Sequence, residues 1–214
     1  MPGDHPPVAA VYDRIAAHFD ETRATPWPEV ESFVADRDGV AVAVDVGCGN
    51  GRHAGLLADR ADRVVGVDAS AALLARARVA AAEDEYSRRF AAVLGDAGRL
   101  PLADGTAGLA LYVATLHHLQ PRLRRRASLS DLARVLGPDG VALVSAWSVT
   151  HDRFDADSGF DTTVDWTLPD GERVPRYYHV YDPAEFRADL RASRCRPVET
   201  FVSSGNCYAT VRGV

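Results

Sequence analysis

The stretch Val44-Asp45-Val46-Gly47-Cys48-Gly49-Asn50-Gly51 constrains this chain more than any other, because an apolar run ends in an acid and then gives a glycine at every second position. Ala41-Val42-Ala43-Val44 has the continuous small and β-branched character of a parallel strand buried on both faces. The glycines that follow let the chain turn tightly and pass close to a ligand without side-chain clash. A helix expected near 52–60 would aim its first N–H groups back at whatever the loop holds.

Spacing narrows the ligand. The dinucleotide fingerprint is G-x-G-x-x-G, and here the third glycine comes one residue early, with Arg52 in its slot, which disfavours NAD. Gly47, Gly49 and Gly51 behind Asp45 resemble motif I of the class I S-adenosylmethionine (SAM) methyltransferases. A second apolar run, Val64-Val65-Gly66-Val67-Asp68, ends in an acid 23 residues beyond Asp45, where a βαβ fold needs one for ribose hydroxyls. A third, Phe90-Ala91-Ala92-Val93-Leu94-Gly95-Asp96, is followed by Leu100-Pro101, and in the SAM family an Asp at this point takes the adenine amino group. Any one of these acids alone reads as a helix cap or turn residue. Three in this order favour a cofactor pocket.

Length and composition suit one such domain over 1–214: the chain has 214 residues, 47% of them hydrophobic and 25% charged, ample for one core and short for two α/β domains. No apolar run approaches the roughly 20 residues of a membrane span, and Met1-Pro2-Gly3-Asp4-His5 lacks the basic-then-apolar order of a signal peptide, so a soluble cytoplasmic protein with no membrane partner is expected. Cys48, Cys195 and Cys207 are odd in number and never spaced C-x-x-C, which indicates neither a metal site nor a disulfide framework. All 24 basic residues are Arg, a pattern of genome bias or salt adaptation, and the net charge of −6 argues against nucleic-acid binding by bulk electrostatics. Any RNA contact has to come from a local patch.

Hydrophobic periodicity predicts helices near 6–20, 28–38, 52–60, 70–84, 121–136 and 183–193. Strands are expected near 41–46, 64–68, 91–95, 108–113, 140–147, 176–181, 197–203 and 207–212. Leu136-Gly137-Pro138-Asp139-Gly140 reads as a helix end turning into the fifth strand. Residues 1–38 form an expected N-terminal helical lid. Residues 148–180 read as an irregular substrate-side insertion with a hairpin turn at Asp170-Gly171.

Four segments carry a more specific resemblance. They are Val11-Tyr12-Asp13-Arg14-Ile15-Ala16-Ala17-His18-Phe19-Asp20-Glu21-Thr22-Arg23 with Trp27-Pro28, Ala114-Thr115-Leu116-His117-His118-Leu119, the arginines 124–126, and Arg176-Tyr177-Tyr178-His179. Together they resemble the tRNA wobble-uridine methyltransferases that esterify 5-carboxymethyluridine, over about Tyr12 to Tyr208. The family's closing Asn-Trp-aromatic pattern stands here as Asn206-Cys207-Tyr208. The resemblance implies an α/β class I fold: a Rossmann-like three-layer sandwich around a mostly parallel seven-stranded sheet with an antiparallel C-terminal strand. It implies SAM held by Tyr12, Asp45, Gly47, Gly49, Gly51, Asp68, Asp96, Ala97 and Ala114. It implies a lid bearing Tyr12, Arg23 and Trp27, the tRNA anticodon region as substrate, and a small zinc-binding activator protein, in a heterodimer, covering an apolar strand edge.

The chemistry asked of such a site is modest. A carboxylate with pKa near 4 is already ionised, so methylation needs placement and partial desolvation more than a strong base. Arg23, Arg124, Arg125 or Arg126 could hold a carboxylate or phosphate bidentately, and His117 and His118 follow the fourth strand where an acceptor sits. His117 reads as an orienting residue, and Arg23 shares the catalytic assignment. Blander readings stand beside these: a packed and an exposed His, a solvated arginine face, Trp27 closing the N-terminal segment or stacking on a base, and Trp166, Tyr177, Tyr178 and His179 as hairpin packing with one or two lining the pocket. Two other functions remain open, a small-molecule carboxyl or O-methyltransferase and a SAM-binding subunit without turnover.

Overall fold

The computed structural model describes residues 7–84 and 86–214. Residues 1–5, read above for targeting, and Pro6 of the first expected helix lie outside them. The helices are α1 Val8–Thr22, α2 Pro28–Ala35, α3 Ala54–Ala58, α4 Ala71–Glu83, α5 Arg122–Val135 and α6 Pro183–Arg191. The strands are β1 Val40–Val46, β2 Ala61–Asp68, β3 Phe90–Leu94, β4 Ala107–Tyr112, β5 Leu136–Trp147, β6 Phe160–Thr167, β7 Arg173–Val180, β8 Cys195–Ser203 and β9 Asn206–Gly213.

Seven strands make one sheet in the order β3-β2-β1-β4-β5-β9-β8, with β1 to β5 parallel and β9 antiparallel to both its neighbours. This is the class I methyltransferase architecture that the resemblance implied. Alternation along β1 explains the two helical layers: Val44 and Val46 join the cluster with Leu129 and Leu132 of α5 and Leu190 of α6, whereas Ala43 joins Val30 and Phe33 of α2 and Leu57 of α3. The strand order reverses at β1, which lies between β2 and β4, so a crevice opens beyond the carboxyl ends of these strands.

Local chemistry fixes the helices that border this crevice. Ser70 caps α4 by accepting from the Leu73 N–H at 3.1 Å, and its hydroxyl donates to Asp13 on α1 at 2.6 Å, tying α1 across the mouth. Pro183 opens α6 behind Asp182, whose carboxylate accepts from the Ala184 and Glu185 N–H groups.

Three expectations need correction. The 148–180 segment is irregular only in its first part: β6 and β7 pair as an antiparallel hairpin around Asp170-Gly171, in full register from Phe160↔Val180 to Thr167↔Arg173. Leu136-Gly137-Pro138-Asp139-Gly140 does not precede the fifth strand but lies in it, because Ala107 pairs with Leu136 and Leu109 with Val141, leaving the four residues between as a bulge. The third helix is shorter than 52–60, and Leu116–His118 forms a 3-10 turn. Among the described residues no helix is long and apolar enough to cross a membrane.

Candidate cofactor and acceptor site

A cavity of about 500 Å³ fills the crevice, walled by the loop after β1, the carboxyl ends of β2 to β5, α1 and the β6–β7 hairpin. Its floor depends on glycine. Gly47 has φ +74°, and a Cβ there would fall 2.0 Å from Thr115 Oγ1, so this turn admits no side chain. Gly49 lines the cavity too, but Gly51 turns away: a Cβ on it would meet Ala77 of α4 at 3.1 Å, so its smallness serves loop-to-helix packing.

Acids occupy one end. Asp68 lines the cavity and accepts from the Gly49 N–H and the Ser70 N–H, each at 2.8 Å, one per oxygen. Burial raises its pKa while these backbone donors pull it down. Each oxygen keeps a lone pair for a hydroxyl donor. Asp96, at the rim with Ala97, accepts from the Gly98 N–H at 2.7 Å and pairs with Arg124. Asp45 is buried below the loop and does not line the cavity: β-alternation turns it to the α3 side, 3.8 Å from His53 Nδ1.

The other end is aromatic and cationic. Tyr12 donates to His118 Nε2 at 2.9 Å, which leaves the His118 proton on Nδ1, donated to the Tyr177 carbonyl at 2.9 Å. Burial pushes the His118 pKa down to about 4, with Arg176 adding charge repulsion. His117 accepts from the Trp147 N–H through Nδ1 at 3.1 Å, so its proton sits on Nε2, and burial drives its pKa well below the usual value, helped by His118 and Arg176. Both imidazoles are therefore neutral at pH 7. Trp147 stacks on Tyr178 with centroids 4.6 Å apart, and Arg23 and Arg176 lie over Trp166 at 5.1 Å and 4.9 Å. Arg52 lies over Trp27 at 5.1 Å, and burial lowers its pKa.

Comparison with known proteins decides the family. A methyltransferase domain model matches residues 44–144. The Schizosaccharomyces pombe tRNA (carboxymethyluridine(34)-5-O)-methyltransferase is 30% identical over 188 residues, 83% of this chain and 77% of that protein. The chain belongs to this family of class I SAM-dependent methyltransferases. The mouse protein tRNA (carboxymethyluridine(34)-5-O)-methyltransferase ALKBH8 is 33% identical over 145 residues, 68% of this chain, and the chain spans about a fifth (20%) of its length. Among solved structures, the CcbJ methyltransferase of Streptomyces caelestis superposes with TM-score 0.80 at 21% identity, covering 98% of this chain and 100% of that one. A putative methyltransferase in complex with the Haloferax volcanii Trm112 methyltransferase activator superposes with TM-score 0.72 at 16% identity, covering 97% of each chain.

SAM is the cofactor of this methyltransferase domain, and the residues present suit it: a side-chain-free floor at Gly47 and Gly49, a carboxylate with free lone pairs at Asp68, and a rim of Asp96 and Ala97. Of the residues singled out in the sequence, Tyr12, Arg23, Trp27, Gly47, Gly49, Asp68, Asp96, Ala97, Ala114, His117, His118 and Arg124 converge on the cavity. Asp45 and Gly51 do not, for the reasons given. Arg125 and Arg126 are corrected as substrate contacts. On a helix successive residues turn by about 100°, so the run cannot face one way. Arg124 reaches the rim, Arg125 is 3% exposed and donates to Tyr181 and the Leu119 carbonyl, and Arg126 pairs with buried Asp189 on α6. The sequence reading gave no role to Arg52, Trp147 or Arg176, all of which line the cavity. Alternation across the β6–β7 hairpin carries the signal for Arg176, since residues 160, 162, 164, 166, 174, 176 and 178 share one face.

Proposed function

We propose that this enzyme methylates the carboxylate of a 5-carboxymethyl wobble uridine in tRNA, together with a small zinc-binding activator subunit. One observation carries the carboxylate. Both histidines at the acceptor end are neutral with their lone pairs engaged, His117 Nδ1 by the Trp147 N–H and His118 Nε2 by the Tyr12 hydroxyl, so neither is free to take a proton. An acceptor for this site has to arrive already ionised, as a carboxylate does at pH 7. When bound, SAM supplies an electrophilic methyl group on a sulfonium. The chain's own part is to hold the adenosine through Asp68 and Asp96, to orient the acceptor through His117 Nε2–H and Arg23, and to exclude water with Tyr12, Trp27 and the hairpin.

The names of the relatives support tRNA as the substrate. A Trm112 activator bound to a protein of the same fold supports the partner. Leu94 and Val79, 61% and 58% exposed on the open β3 side of the sheet, suit such a subunit. Cys207 in place of the family's tryptophan, with the net charge of −6, favours a second reading, a small carboxylate as acceptor.

The test is methyl transfer from labelled SAM to tRNA lacking this modification, with and without co-expressed activator, followed by nucleoside mass analysis. A methyl ester on wobble 5-carboxymethyluridine is the expected product. No RNA labelling from SAM-binding protein with the activator present would shift the acceptor to a small carboxylate.

A further inference from the structure

We infer that Arg176 is the residue that selects an anionic acceptor, holding its carboxylate against the aromatic wall of the cavity; this rests on the acceptor reading above and names the group that enforces it. The β6–β7 register pairs Val164 with Arg176, Trp166 with Val174 and Thr162 with Tyr178, which sets Trp166, Arg176 and Tyr178 on the cavity side of the hairpin. Tyr177 and His179 alternate to the far side, where each meets Asp161, at 2.8 Å and 2.7 Å. The Arg176 guanidinium lies 4.9 Å from the Trp166 ring centroid and 5.1 Å from that of Tyr178, held over two aromatic faces.

Its donors are nearly all unengaged. Nη1 makes one long bond to the Tyr12 hydroxyl at 3.4 Å, and Nε is buried without a hydrogen-bond partner. Among the described residues no carboxylate lies within 4 Å of Arg176, although the chain has 30 acids to 24 arginines and pairs several of its other cavity-side and α5 arginines. A partly buried fork of donors without a protein counter-charge is satisfied by a planar anion in a bidentate pair. Its neighbours give no competing proton chemistry, because Tyr12 donates onward to His118 and both histidines are neutral. The arrangement is directional: Arg176 donates to Tyr12, Tyr12 to His118, and His118 to the Tyr177 carbonyl, so the Tyr12 proton is committed away from the cavity and the guanidinium is the group left to meet an anion.

Arg23 shares Trp166 with Arg176, but it sits at the C-terminal end of α1 and spends one donor on the Thr22 carbonyl at 2.9 Å. Arg52 belongs to the glycine-loop side of the cavity, over Trp27 and toward Asp45. Arg176 is thus the guanidinium fixed among the rings and histidines of the acceptor end.

The test compares two nucleosides of one shape, 5-carboxymethyluridine and neutral 5-carbamoylmethyluridine, binding to the full chain saturated with S-adenosylhomocysteine, read by calorimetry or cavity tryptophan fluorescence. Wild type is expected to prefer the acid by about tenfold or more, the worth of a charge-assisted bidentate pair. R176Q is expected to bring the two within about twofold while leaving S-adenosylhomocysteine affinity unchanged. R176K, which keeps the charge without the planar fork, should retain part of the preference and reports on the site even if R176Q is unstable. An unchanged preference in R176Q or R176K, or no preference in wild type, overturns the inference. Preference for the acid in wild type, lost in R176Q, without methylation of tRNA carrying the acid, would leave Arg176 standing and remove the tRNA reading instead.

Discussion

His118 is buried with both nitrogens hydrogen-bonded, to Tyr12 and to the Tyr177 carbonyl, and its burial as a neutral ring makes it a stability device with a defined pH window. Its pKa falls from 6.5 to about 4 on folding, chiefly through burial. The unfolded chain therefore binds a proton below pH 6.5 that the folded one refuses until about pH 4, and stability present above 6.5 drains away as the pH falls through that interval. The loss is of order ~3 kcal/mol for this group alone. Urea unfolding of wild type and H118Q at pH 7.5 and pH 5 checks it: wild type should lose more than the variant, and parallel losses would mean the ring titrates elsewhere. Asp68 makes a different prediction. D68A should weaken SAM binding about ten- to a hundredfold by equilibrium titration, the scale of hydrogen bonds to a charged acceptor, and unchanged affinity would remove Asp68 from the ribose. That Asp68 and Gly47 would line the cavity was legible because strand, acid and glycine recur at fixed spacing. Asp45 misled because the same acid read as a ligand is turned by β-alternation to the side away from the cavity.

At the scale of elements, the arginine run of α5 shows how a cluster in sequence separates in space. Arg122 and Arg126 both reach Asp189, at 2.8 Å and 2.7 Å, and the Tyr181 hydroxyl adds a third donor at 3.3 Å, so this fully buried carboxylate joins α5 to α6 and the end of β7. Replacing it leaves the Tyr181 phenol without this acceptor, while Arg122 and Arg126, 42% and 33% exposed, keep access to water and Arg122 keeps Glu185 at 3.4 Å. D189A should therefore cost less than a fully buried pair would, about 1–3 kcal/mol in urea or thermal unfolding, and a cost under about 0.5 kcal/mol would show that the carboxylate does not tie α5 to α6. A count of arginines predicted a binding patch; the helical repeat, applied residue by residue, separates Arg124 from its neighbours. The hairpin was readable on the same principle. Phe160, Thr162, Val164 and Trp166 alternate with Asp161, Thr163, Asp165 and Thr167, a two-residue period hidden by the polar composition of the outer face. What no sequence pattern carries is that Trp166 would pack on Val11 and Ile15 of α1, closing the α1 side of the cavity.

At the scale of the whole molecule, the two edges of the seven-stranded sheet are not equivalent, and the difference predicts where the proposed activator would pair. The β8 edge carries Pro197 and a register shift between Pro197 and Glu199, both of which blunt an edge against strand addition. The β3 edge, Phe90-Ala91-Ala92-Val93-Leu94, contains no proline and no charge, and its last residue, Leu94, is 61% exposed. A partner that adds a strand finds its template at β3. The prediction sets one edge against the other. L94D should leave the isolated chain as stable as wild type, since an exposed substitution changes stability by about 0.5 kcal/mol or less, but should reduce co-purification with a co-expressed activator severalfold. V198D, placing the same charge on an equally exposed valine of β8, should leave co-purification unchanged. Loss of the partner in V198D with retention in L94D would move the interface to the opposite edge. Equal retention in both would mean that the partner docks through helices, with the sheet edges left to solvent.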